Sequence, residues 1–200
     1  MTADVIDVDG SAASHGLVLP RLVLRPVSSD DREFLIGHWS DRAVRQFLFD
    51  GTPAVVGEIE RAIVDSARDF AALGYGLWVI CPAAGDAPIG TVGLRPLDDL
   101  GLELFYSLIP SAWGRGYATE AARGIIDYSL GPLGLTEVFA EVDEANAASA
   151  AVLERVGMHP FGEVAGVLGS VIRYRAPRLV HPEKQGCTGQ HGRRIDGHLP

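Results

Sequence analysis

Hydrophobic and polar positions divide the chain into alternating short runs of two periods. Leu22, Val23 and Leu24 lie between Arg21 and Arg25 and stop at Pro26, which reads as a strand. Ser28 to Asp31 carry helix-start chemistry, with Glu33 three residues after Asp30 at capping-box spacing. A short helix through Phe34, Leu35 and His38 follows, then a second after Ser40, before Gly51, Thr52 and Pro53 break the chain. Ile59, Ala62, Ile63, Ala67 and Phe70 share one face of a longer helix ended by Gly74. Three strand-like runs come next, Tyr75 to Cys81, Ile89 to Leu94 and Leu102 to Ile109, and the short turns between them favour antiparallel pairing. Ala118, Ala121, Ala122, Ile125, Ile126 and Ser129 line an amphipathic helix, and Val138, Ala140 and Val142 alternate as a strand. Asn146 opens a last helix that stops at Gly157, and two strands are predicted near Met158 to Phe161 and Leu168 to Tyr174. This order predicts a mixed α/β sheet: an antiparallel meander, then a parallel step through a crossover helix.

Length and composition narrow the class. The 200 residues are 47% hydrophobic and 22% charged, ordinary values for a globular chain with one full core. Residues 1–17 are polar, acidic and aperiodic and read as a disordered N-terminus; 179–200 read as a flexible tail; 18–178 form one domain. No apolar run approaches the about 18 residues of a membrane span. The acidic start has no signal-peptide pattern, so the expected location is the cytoplasm. A net charge of −9 disfavours direct nucleic-acid binding and suits cationic partners such as amines. Neither Cys81 nor Cys187 has zinc-site spacing, and His181, His191 and His198 in the tail lack metal spacing; no metal is expected.

The segment Ser111 to Ala121, SAWGRGYATEA, stands between a strand and a helix. Gly114 and Gly116 allow a tight turn and a close backbone approach to a ligand. Amides of the loop and the first helical turn then converge with the helix dipole on one anion site. A Walker loop is excluded, because no Gly-Lys-Ser/Thr follows. The dinucleotide fingerprint is disfavoured, because Thr119 stands where its third Gly or Ala belongs and the segment follows a meander.

This segment resembles the pyrophosphate loop of the GNAT superfamily, in particular the branch that includes the ribosomal-protein alanine acetyltransferases, which begins the loop with Trp, here Trp113. Three further stretches match in order: Arg21 to Pro26, Gly90 to Leu94, and Asn146 to Ser149 with Leu153 to Met158. The resemblance implies a GNAT fold with about four helices and acetyl-CoA as co-substrate. It also implies an amine acceptor, either a protein N-terminus or a small molecule. Trp113, Gly114, Arg115, Gly116, Tyr117, Ala118 and Thr119 would hold the CoA pyrophosphate, mostly through backbone N–H groups. Asn146 would bond the pantetheine arm, a role compatible with its position as a helix N-cap.

Two residues carry candidate chemistry by the same resemblance. Glu103 would act as general base through water, or hold the cationic amine, since an ammonium must lose a proton before attacking a thioester. Ser149 would protonate the departing thiolate; the tyrosine many GNATs use for this is replaced here by Glu154. Backbone N–H groups near Ser107 and Leu108 would polarise the thioester carbonyl. Trp39, Phe47 and Phe49 fall where this branch shapes its acceptor site, though core packing is the preferred reading for any one of them. The expected reaction is direct acyl transfer, accelerated by holding two substrates in line. A non-catalytic acyl-CoA-binding module is the alternative reading, and the sequence leaves a sheet-edge homodimer open.

Overall fold

A computed structural model describes residues 4–6, 15–48 and 51–178. In chain order its elements are β1 (Asp4–Ile6), β2 (Gly16–Val18), β3 (Leu22–Pro26), α1 (Arg32–Ser40), α2 (Arg42–Arg45), α3 (Val56–Leu73), β4 (Leu77–Pro82), β5 (Gly90–Leu97), β6 (Gly101–Leu108), α4 (Tyr117–Leu130), β7 (Glu137–Asp143), α5 (Ala147–Arg155), β8 (His159–Ala165) and β9 (Ser170–Pro177). The strands form one sheet in the order β1-β2-β3-β4-β5-β6-β7-β9-β8. Every neighbouring pair is antiparallel except β6 with β7, the expected parallel step.

Alternation along the strands feeds two cores. On one face, Leu24, Trp78, Ile80, Val92, Leu104 and Val138 pack with Ala121, Ala122 and Ile125 of α4 and Leu153 of α5. On the other face, Leu77 and Val79 pack with Leu35 and Trp39 of α1 and Ile59 and Ile63 of α3. β6 supplies both, with Leu104 and Leu108 toward α4 and Phe105 toward α1 and α3.

Several expectations shift. β1 and the first two residues of β2 fall within residues 1–17, read from sequence as disordered; Leu17 is completely buried and β2 pairs with β3. One apolar residue meeting a sheet edge outweighs the polar composition around it. Five α-helices occur among the described residues, and the short one expected after Ser40 is the single turn α2, capped by Asp41 Oδ1 accepting from the amides of Ala43 and Val44. The capping box uses Ser28 and Asp31, not Asp30 and Glu33: Ser28 N–H donates to Asp31 Oδ2 at 2.9 Å. Asp31 is fixed there by a two-pronged bond from Arg25, 2.7 and 2.6 Å. β8 and β9 run later than expected, because Gly166 N–H donates to Gly169 O and sets the turn between them.

The candidate active site

β6 and β7 pair at one register position, Glu103 opposite Phe139. Beyond it the strands part, and a cleft of about 960 Å³ opens between them. That size is at the upper end of small-molecule sites. Its walls come from β6 (Leu104 to Leu108), β7 (Ala140 to Asp143), the loop and first turn of α4, the first turns of α5, and α2 with the residues after it. The wedge is a consequence of topology: a parallel neighbour reached by a crossover helix need not follow its partner strand to the end.

One end of the cleft is built from backbone. Gly114 and Gly116 adopt φ of 71° and 78°, left-handed conformations that favour glycine and turn the chain into α4. Glu120 N–H makes the first helical bond, to Gly116 O at 3.1 Å, and Gly116 offers no side-chain cap. The amides of Tyr117, Ala118 and Thr119 therefore lie in the unsatisfied first turn, and all three residues line the cleft. Trp113 also lines it; its indole N–H donates to Leu108 O at 2.8 Å and fastens the loop to β6. Arg115 does not line the cleft; its carbonyl accepts from Arg21 Nη1 at 3.0 Å. Arg21 also bonds Glu120 twice and lies 5.0 Å over the Tyr117 ring, tying the start of α4 to β3. Sequence reasoning missed this clamp and missed Arg155, the cation that lines the same half of the cleft.

The middle is lined by Asn146, Ser149 and Tyr106. Asn146 caps α5, its Oδ1 accepting from Ser149 N–H at 3.2 Å, and its amide NH₂ is not used by that bond. Tyr106 donates its hydroxyl to Ser149 O at 3.2 Å, and burial pushes its phenol up to about 12, keeping it protonated. Nothing in its sequence context distinguishes Tyr106; the alternation of β6 turns it toward α5. Glu154, where many GNATs carry tyrosine, faces a smaller hollow on the outer side of α5.

The far end carries side chains on the α1 face of β6. Glu103 is 4% exposed, and Arg95, directly opposite on β5, donates Nε to its Oε1 at 2.5 Å. Burial raises the proton affinity of Glu103, the charges of Glu141 and Asp98 add to that, and Arg95 opposes it. Ser107 Oγ lies 2.8 Å from His38 Nε2 and 3.0 Å from Thr91 Oγ1. A Cβ at Gly90 would fall on the Ser107 carbonyl oxygen, so the Ser107 backbone faces β5. In a strand the N–H and C=O of one residue share an edge. Leu108, whose carbonyl is turned to Trp113, thus presents its N–H to the cleft, whereas Ser107 does not. Phe47 and Leu48 close this end, while Trp39, 5% exposed, belongs to the second core. Phe49 lies outside the described residues.

A model of the acetyltransferase (GNAT) domain matches residues 21–159. The chain belongs to the GNAT acetyltransferases. It is 29% identical over 149 residues, 73% of its own length and 83% of the relative's, to the uncharacterized N-acetyltransferase p20 of Bacillus licheniformis. Its structure is similar to an acetyltransferase from Agrobacterium tumefaciens, with TM-score 0.71 and 24% identity, covering 86% of this chain and 98% of that one. It is also similar to the Vibrio cholerae spermidine N-acetyltransferase solved with CoA and spermine, with TM-score 0.68 and 22% identity over 79% and 96% of the two chains. The protein is an acetyl-CoA-dependent N-acetyltransferase, and the family reaction is acetyl transfer to an amine.

Proposed function

We propose that acetyl-CoA occupies the wedge between β6 and β7 and that a singly charged primary amine enters from the α1–α2 side to attack it directly. The observation that carries this reading is the parting of β6 from β7 beyond Glu103, with the open amides of α4 at one end. Those amides and the helix dipole suit a pyrophosphate. The φ-positive glycines beside these amides carry no Cβ to obstruct close approach. The amide NH₂ of Asn146 and the N–H of Leu108 supply donors farther along the same cleft.

Each step then falls to a residue in place. Glu103, buried and of raised proton affinity, draws the proton from the incoming ammonium, directly or through water. The amine nitrogen bonds to the acyl carbon, the C–S bond breaks, the thiolate takes a proton from Ser149 or from Tyr106 beside it, and the second proton shed by the nitrogen returns through water to that hydroxyl. Among the carboxylates lining the cleft, Glu103, Glu141 and Asp143, only Glu103 is buried, and it is already paired with Arg95, so this end supports an amine of single charge. The apolar side chains of Val44, Phe47 and Leu48 support apolar neighbours to that amine. A protein N-terminus and a small apolar amine both satisfy this; a polyamine does not. The test is release of CoA thiol from acetyl-CoA across N-terminal peptides, small monoamines, aminoglycosides and spermidine. Release with monoamines or peptides and little with spermidine is expected; preferential use of spermidine would reject the single-charge acceptor.

A further inference from the structure

Three polar side chains from distant segments, two of them buried, meet at the cleft: Thr91 on β5, Ser107 on β6 and His38 on α1. Thr91 is 1% exposed and His38 3% exposed, whereas Ser107 lines the cleft. Their hydrogen-bond directions follow from counting donors. Were Ser107 to donate to Thr91, the buried Thr91 hydroxyl hydrogen would face no acceptor among the described contacts, a costly arrangement. Thr91 therefore donates to Ser107. The His38 ring poses the same choice, since its Nδ1 has no hydrogen-bond partner among the described residues. Were Nε2 to accept from Ser107, Nδ1 would carry a buried, orphaned N–H, the rarer kind of unsatisfied group. With Nε2–H as donor, only a lone pair is left bare. Phe34 stacks on the imidazole at 5.2 Å and holds its plane.

Ser107 Oγ then accepts twice, from His38 and from Thr91, and its own hydrogen has one direction left, into the cleft. We propose that the Ser107 hydroxyl donates to the carbonyl oxygen of the bound acyl thioester, with His38 and Thr91 as positioning residues. The proposal rests on the acetyl-transfer reading above. As the amine N–C bond forms, the C=O electron pair moves onto oxygen, where the Ser107 O–H and the Leu108 N–H meet it. As C–S breaks, the pair returns to C=O, and Ser107 keeps its proton throughout. Donors preorganised at a developing oxyanion are among the larger contributions to such a rate. His38 suits a fixed donor because burial lowers its basicity to about 4, so it stays neutral near pH 7.

The test compares wild type with Ser107→Ala. Acetyl-CoA turnover should fall about 100-fold with CoA affinity unchanged; a rate within two-fold of wild type would overturn the assignment. His38→Leu should also slow turnover, and His38→Gln, which restores a donor at the same reach, should recover most of the loss. No recovery with Gln in a variant that still binds CoA would remove the positioning role. Nitrogen-15 NMR of the His38 ring reads the tautomer directly: Nε2–H is expected, and Nδ1–H would reverse the hydrogen-bond direction and sink the proposal. Should wild type acetylate no amine, the transfer reading fails on its own terms, and titration decides about Ser107 separately. An acetyl-CoA to CoA affinity ratio that falls about five-fold in Ser107→Ala supports the hydrogen bond; an unchanged ratio overturns it.

Discussion

The two ends of the cleft are made of different material. The α4 end is a run of consecutive residues, Trp113 to Thr119, acting through backbone amides at a helix start. The far end is assembled from His38, Thr91, Arg95, Glu103 and Ser107, which come from three elements. The first tolerates side-chain change wherever the backbone is preserved. The second depends on each side chain and on the packing that holds it. A site's sensitivity to substitution thus follows from whether its donors belong to the chain or to its side groups.

Substitutions at the two ends should therefore differ in size, from a loss of CoA binding to a small loss of stability. Gly116→Trp should act most strongly, weakening CoA by about 100-fold or more in calorimetric titration, because φ near 78° strains any side chain and a Cβ there already meets Arg21 Nη2 at 3.4 Å, so the indole would disturb the clamp that holds the loop. Unchanged affinity would detach the α4 end from CoA. Glu103→Gln should leave CoA affinity alone and lower kcat about 100-fold. In wild type, rate should fall as pH drops through the raised Glu103 pKa, and the variant should lose that acidic limb; a retained limb would move the base elsewhere.

Next comes a stability effect confined to the far end. His38 has a folded-state pKa depressed from 6.5 to about 4, so neutral His38 contributes stability that is full above the unfolded value and lost as pH falls toward 4. The shift corresponds to about 3 kcal/mol. Chemical denaturation of wild type and His38→Gln should show a shallower loss between pH 6.5 and 4 in the variant; parallel curves would mean the ring is not buried as a neutral group. Ser149→Ala should reduce turnover about ten-fold, less than a usual general-acid effect because a thiolate is a moderate leaving group. If Tyr106→Phe costs more than Ser149→Ala, the proton comes from the phenol. The smallest effect belongs to the clamp: Arg21→Met should cost no more than about 1 kcal/mol, since its side chain is 51% exposed.

Local features could be read from the chain alone. The succession of strands and helices, the amphipathic face of α4 and the glycine turn before it were legible because periodicity, glycine freedom and helix-start chemistry act over neighbouring residues. So was Asn146 as a cap, whereas Glu103 stood out only through the family resemblance. Tertiary structure decided the rest. It drew Leu17 into the sheet from a polar segment, sent Trp39 to a core and Arg115 out of the cleft, and chose Asp31 over Glu33 for the capping box through Arg25. It also brought Tyr106 beside Ser149 and His38 beside Ser107, pairs separated by 43 and 69 residues. No local pattern encodes such meetings. They depend on which strand faces which helix, and that is set by burying the whole apolar surface at once.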